Sequence, residues 1–231
     1  MVANEMFLDS ASLRSSVVSQ AKSLGYEVSS ARAAIATVNV TLSTTAASKT
    51  MPAGTTFTTT VDGVSYQFVT IADITSNNIG NAINFDSTKI YEGTYVTSKY
   101  IVDTSDIEQS FTLTDPRSDT TTLTVKVQNS VTDTTTTTYT KATDISQLSS
   151  SSTVYFLQEV DAGRFEVYFG DGVVSRAVSD GNIVTLQYVV TNKTAANGAS
   201  TFSSPSSIDG VTTITTTCLL YTSDAADDRV S

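Results

Sequence analysis

The apolar positions follow a helical period at the start of the chain and a strand period for nearly all of the rest. Over residues 10–24, Leu13, Val17, Ala21 and Leu24 recur at helical spacing, Val18 widens the stripe, and Arg14, Ser15, Ser16, Ser19, Gln20 and Lys22 mostly fall on other faces. Asp9 or Ser10 can cap the start, and Gly25 stands where a left-handed residue ends a helix. Such a stripe either packs on its own domain or docks on a partner helix. After Tyr26 the period becomes two. Ala36, Val38, Val40 and Leu42 alternate with Thr37, Asn39 and Thr41, which predicts a half-buried strand. Residues 55–61 and 64–71 flank Asp62-Gly63, the dipeptide that supplies the positive φ angles of a two-residue hairpin. Residues 74–84, with Asn77-Asn78 and Gly80, read as a loop or irregular crossing.

Further strands are expected over 89–102 with a break at Gly93, over 109–113, and over 121–128, where Leu123, Val125 and Val127 share a face. The threonine run 134–138 ends in Tyr139 and reads as a solvent-facing edge strand or a loop, and residues 144–148 as a helical turn. From Thr153 the pattern tightens. Val154 and Phe156 oppose Tyr155 and Leu157, a turn at Asp161-Ala162-Gly163 leads into Phe165, Val167 and Phe169, and residues 183–190 read as a central strand. The Asn/Ser/Ala-rich stretch 191–210 is expected to be exposed, and residues 211–217 to begin another strand. The fold class is therefore mainly β, α+β at most: an amphipathic N-terminal helix followed by antiparallel hairpins in sandwich-like domains. The expected organisation is a helical segment over 1–30, a β-rich region over 31–145, a second β region over 153–217 and a distinct tail over 218–231. The polar stretch 134–152 is the best candidate for a boundary.

Composition sharpens this picture mainly by exclusion. The 231 residues include 41 Thr and 32 Ser but only 16% charged side chains, so hydroxyls do most of the solubilising, and β-branched threonine favours strands. With no His there is no Ser-His-Asp or Cys-His machinery, and one Cys allows neither an internal disulfide nor a thiolate zinc site. A net charge of −10 argues against nucleic-acid and anionic-membrane partners. The start, Met1-Val2-Ala3-Asn4-Glu5, lacks the basic and apolar regions of a secretion signal. Gly170-Asp171-Gly172 has no GxxxxGK[ST] context and reads as a turn rather than a phosphate loop. Asp161, Glu166, Asp171 and Asp180 do not follow a calcium-loop spacing. No catalytic residue, cofactor, metal or small-molecule substrate is expected.

The tail breaks the texture of everything before it. Cys218-Leu219-Leu220-Tyr221-Thr222-Ser223-Asp224-Ala225-Ala226-Asp227-Asp228 holds the one cysteine and a sudden acidic, alanine-rich patch. It resembles the translation of a transposase-based sequencing adapter. That likeness implies that the natural sequence departs from this one near Thr217 and runs on, so the chain is expected to be the N-terminal part of a longer protein.

A second resemblance rests on residues 155–191, YFLQEVDAGRFEVYFGDGVVSRAVSDGNIVTLQYVVT. Arg164, Phe165 and Phe169 lead into Gly170-Asp171-Gly172, then a turn with Gly181 and a closing strand with Tyr188. This resembles the signature of the baseplate J-like proteins of contractile phage tails. Residues 6–217 are similar to the large baseplate wedge subunits of T4-like, especially marine, bacteriophages. Ser175-Arg176-Ala177-Val178-Ser179 departs from the family, whose middle turn often carries Gly and Pro. The resemblance implies a non-enzymatic structural subunit of the virion tail baseplate, assembled in the host cytoplasm. It implies self-association as a dimer within the wedge, and contact with other wedge subunits including a long helical scaffolding subunit. Leu13, Val17, Val18, Ala21 and Leu24 are then the expected partner-helix face. The alternative is a secreted or surface-displayed adhesive β-domain, or a host-binding tail-fibre module.

Overall fold

The computed structural model describes residues 16–17, 29–160 and 163–222. The expected N-terminal helix lies outside the described residues except at Ser16 and Val17, which are helical and half-buried. Everything else of any length is strand, as the alternation and the threonine content require. The described chain divides into two compact units. The first takes Ala31–Val96, Asp119–Thr122 and the residues from Gln187 onward, and the second takes Thr97–Ser118 and Leu123–Leu186.

In the first unit, β1 (Ile35–Ser43) runs between β6 (Ala82–Glu92) and β14 (Ile214–Thr222) in the order β14-β1-β6-β4-β3, with β4 at Val64–Val69 and β3 at Thr56–Val61. Period-two alternation places Ala36, Val38, Val40 and Leu42 entirely out of solvent while the residues between them are half-buried. Both neighbours of β1 are antiparallel; Leu42 stands opposite Ile83 on one side and Ile214 on the other. Strand β14 continues through Cys218, opposite Val38, to Thr222, opposite Ile35. The β3–β4 hairpin closes at Val61 opposite Val64, with Asp62 and Gly63 at φ +50° and +81°, as that dipeptide predicts.

Residues 74–84 are a hairpin, not a loop. Strand β5 (Ile74–Ile79) turns over Gly80-Asn81, at φ +64° and +66°, into β6, while β2 (Ser48–Met51) pairs with its other edge. Its sequence, ITSNNI, shows no apolar alternation because polar groups hold it. The Thr50 and Thr75 hydroxyls are 2.8 Å apart, the Ser76 hydroxyl donates to the Asn84 carbonyl, and Asn78 Nδ2 donates to the Thr44 and Ala46 carbonyls.

Residues 191–210 also depart from expectation. Thr191, Ala196, Ala199 and Ile208 are buried, and the last three join Phe57, Phe68, Ile83 and Ile90 in one core. Phe202 meets Phe68 edge-on at 4.9 Å. The stretch has no repeat period because it is an irregular cover whose small residues lie against the apolar face, so neither template detects it.

Two buried carboxylates tie this unit together. Glu92 is fully buried; its Oε2 accepts from the Thr191 hydroxyl at 2.6 Å and the Asn192 amide at 2.9 Å, and its Oε1 from Asn192 Nδ2 at 2.9 Å. Asp119 accepts from the Ala33 amide at 2.8 Å and from the Thr121 amide and hydroxyl. Beside Glu92, Gly93 at φ +124° passes so close to Val190 that a β-carbon would stand 2.2 Å from its carbonyl oxygen. The break expected at Gly93 is this joint between β6 and β7 (Thr94–Ile101).

Among the described residues of this unit, two buried hydroxyls have no hydrogen-bond partner, those of Thr59 and Tyr95, and Thr59 is only 4% exposed. Thr59→Val keeps the shape and removes the desolvated hydroxyl, so it is expected to stabilise the chain by about 1 kcal/mol. A urea midpoint unchanged or lowered in that variant would show the hydroxyl to be satisfied in solution.

The second sheet has the order β7-β13-β9-β10-β11-β12-β8, with β8 at Phe111–Leu113, β9 at Ser118–Gln128, β10 at Thr136–Lys141, β11 at Val154–Glu159, β12 at Phe165–Phe169 and β13 at Ile183–Val190. Strand β13, expected to be central, is an inner strand one place from the edge, between β7 and β9. The threonine run enters β10, which is neither an edge nor a loop: it lies between β9, antiparallel, and β11, parallel. Tyr139 is the inward anchor that fixes it, and its flanking threonines are exposed. A parallel pair needs a crossover of a dozen or more residues, and residues 142–153, with a 3-10 turn at Ile145–Gln147, supply it.

Candidate functional site

Most of the motif residues Arg164, Phe165, Phe169, Gly170, Asp171, Gly172, Gly181 and Tyr188 lie in the second unit; Tyr188, at the end of β13, belongs to the first and is fully buried there. Phe165 and Phe169 occupy one face of β12, because residues two apart in a strand share a side. Phe169 meets Phe111 at 5.5 Å and Tyr139 at 5.3 Å, both edge-on, and Phe111 meets Tyr100 at 5.7 Å. On the outer face, Phe156 stacks on the exposed ring of Tyr168 at 5.2 Å. Arg164 is exposed, and its carbonyl accepts from the Val160 amide across the β11–β12 turn.

Gly170-Asp171-Gly172 folds back on itself rather than forming an anion cradle. The Asp171 Oδ1 accepts from the Val173 amide at 2.9 Å and the Val174 amide at 3.2 Å, and the Gly172 amide donates to the Ser175 carbonyl. A β-carbon at Gly170 would stand 2.0 Å from the Ser175 hydroxyl and 2.8 Å from its carbonyl, so the turn requires glycine there on steric grounds. The amide bonds from Val173 and then Val174 hold the Asp171 carboxyl below its ordinary 3.8. A carboxyl depressed on folding contributes above its unfolded pKa, and that contribution is lost as pH falls through the folded value. The Val173 and Val174 amide resonances are therefore expected to titrate together with a midpoint below 3.8. A midpoint at or above that value would mean the turn is open in solution.

The structure also builds a cleft that the sequence pattern does not reveal. About 190 Å³ in volume, it lies in the second unit against β10 and the segment following Ser175, with Thr137, Tyr139, Arg176, Ser179, Asn129 and Asn182 among its lining residues. Thr137 and Tyr139 reach it from the same side of β10. The opposite wall is fixed by one backbone bond and two through the Asn182 side chain: the Arg176 amide donates to the Ser152 carbonyl, the Ser179 amide to Asn182 Oδ1, and Asn182 Nδ2 to the Asn129 carbonyl. Burial pushes the Tyr139 phenol up, and the positive charge of Arg176 partly offsets this. Arg176 falls in the segment 175–179, between the turns at Gly170-Asp171-Gly172 and Gly181.

Residues 96–201 match a phage baseplate wedge domain. The family is described as bacteriophage baseplate wedge protein gp6, third domain. The match takes in β8 to β13, the Arg164–Gly181 turn system and the cleft. Across 91% of its length the chain is 28% identical to the baseplate wedge protein gp6 of Enterobacteria phage T4, of which it covers 34%. The chain thus spans about a third of the length of this curated relative.

Proposed function

We propose that this protein is a structural subunit of a contractile phage tail, acting in the baseplate wedge as part of the ring around the tail hub. The observation that carries the reading is the match of residues 96–201 to the wedge domain. The physical character of the chain supports it. A Thr-rich, mainly β chain with little charge suits lateral packing in a fixed assembly. The J-like turn signature fits the same role, because its glycines and aromatics hold strands rather than a reacting group. In such a ring the subunit transmits the rearrangement that triggers sheath contraction by switching between two packed interface states, not by bond chemistry.

Its partners are a second copy within the wedge and other wedge subunits, among them a long helical one that meets the stripe Leu13, Val17, Val18, Ala21 and Leu24. Co-expression with the wedge subunits of a T4-like phage, followed by size-exclusion chromatography with light scattering, tests this. Co-elution supports the reading. A chain that stays apart, or that forms trimers and binds host cells, overturns it in favour of a fibre module. Leu13→Asp/Val17→Asp is expected to abolish co-elution with the helical subunit; normal assembly of that variant would remove the helix from the interface. The adapter-like Cys218-Leu219-Leu220-Tyr221 belongs to the same reading. Sequencing across the Thr217 codon supports it if those four residues are missing and overturns it if they recur.

A further inference from the structure

The cleft on β10 carries two donors with no partner among the described residues. Arg176 is exposed, and its guanidinium has no hydrogen bond or ion pair among the described residues, although the chain holds 23 acidic side chains. Other cations are engaged: Lys49 with Asp209, and Arg117 with Asp115 at 2.9 Å. Three carboxylates of the neighbouring turns accept bonds from other groups. Asp171 is turned onto Val173 and Val174, Asp133 onto Asn129 and Thr135, and Asp180 onto the Thr104 amide. Tyr139 is 4% exposed, and its ring is held edge-on against Phe169. Its hydroxyl nevertheless has no hydrogen-bond partner among the described residues, and it lines the same cleft as Arg176.

Tyr139 and Arg176 line one cavity, and a phenol hydroxyl and a guanidinium together are complementary to an oxyanion, which accepts from both. The volume selects its size. At about 190 Å³ the cleft lies below the roughly 300–1,000 Å³ of sites for drug-sized molecules, and it suits a single side chain. We propose that this cleft receives the carboxylate of an aspartate or glutamate from a neighbouring polypeptide, held between the Arg176 guanidinium and the Tyr139 hydroxyl. The origin of that carboxylate in a polypeptide rests on the wedge reading; the oxyanion chemistry stands on the cleft alone. An acidic chain repels free anions as a whole, so saturable binding here requires a local site.

The test is an amide-resolved NMR titration of the 231-residue chain at constant ionic strength, with acetate, inorganic phosphate and a doubly blocked aspartate amide as separate probes. Saturable shifts at Ser179, Asn182 and the Arg176 Nε–H are expected with acetate and with blocked aspartate. Arg176→Gln is expected to weaken both by about tenfold and Tyr139→Phe by about threefold, because the charged donor contributes more than the neutral one. Neither side chain makes a hydrogen bond or ion pair among the described residues, so both variants are expected to melt with the parent. Absence of saturable shifts, unchanged binding in Arg176→Gln, or binding of phosphate alone overturns the proposal. Acetate binding without blocked aspartate overturns the polypeptide source. None of these outcomes touches the co-elution result, so the cleft and the wedge reading fail separately.

Discussion

Glu92→Ala is expected to lower the unfolding free energy by about 2–4 kcal/mol, the range for stranding buried donors that had bonded a charged acceptor. The carboxylate is fully buried and accepts three bonds, from the Thr191 hydroxyl, the Asn192 amide and Asn192 Nδ2. Thr191 is itself out of solvent, so its hydroxyl finds no water when the acceptor goes, whereas Asn192 is exposed and recovers part of its loss. Glu92→Gln separates charge from shape. Its single amide oxygen can serve the two donors that Oε2 serves, while its NH2 faces the Asn192 NH2, donor against donor. The expected loss is about half that of alanine. The chain has ten tyrosines and no tryptophan, so urea unfolding followed by tyrosine fluorescence reads both variants. Equal stability of Glu92→Ala and the parent would mean that the clasp contributes nothing.

Gly93→Ala is expected to cost about 3–5 kcal/mol, combining a disfavoured backbone region with overpacking. At φ +124° an L-residue is strained, and the new β-carbon would stand 2.2 Å from the Val190 carbonyl oxygen and 2.9 Å from Val189 Cγ1. The carbonyl is backbone and cannot rotate away as a side chain would. Gly63→Ala is the control. Its φ is +81° with nothing within 4 Å, so it reports backbone strain alone, roughly 1–2 kcal/mol. If the two variants lose the same stability, the close approach at Gly93 is not present in solution.

How far the sequence discloses the structure depends on what holds each element. Strand β1 and the β3–β4 hairpin are legible because an apolar face and an Asp-Gly turn are local, periodic facts. Strand β5 is not, because its supports are the Asn78, Thr50 and Ser76 side chains reaching distant backbone or hydroxyl groups, which leave no period. The cover over 191–210 is missed for a related reason: alanine packs inside without announcing it. Strand β10 misleads in the other direction, since four of its six residues are threonine while its place in the sheet turns on Tyr139. Of the site, the turn glycines and aromatics of the motif are visible in the pattern. The Arg176–Tyr139 cleft is not, because it joins residues 37 apart whose relevant property, lining one cavity without a partner among the described residues, exists only in three dimensions.

The ladder between β1 and β14 also sets a timetable. Strand β1 can take its β6 neighbour once Glu92 has left the ribosome, but its other neighbour ends at Thr222, 130 residues later. At synthesis rates of about 5–20 residues per second, that edge stays open for roughly 6–26 s. During this interval an apolar strand offers a row of free amides and carbonyls to any passing chain. The nascent polypeptide is therefore most vulnerable to aggregation while its second unit is being made, and slowed translation of residues 97–186 should lower its soluble yield more than the same delay imposed before residue 31.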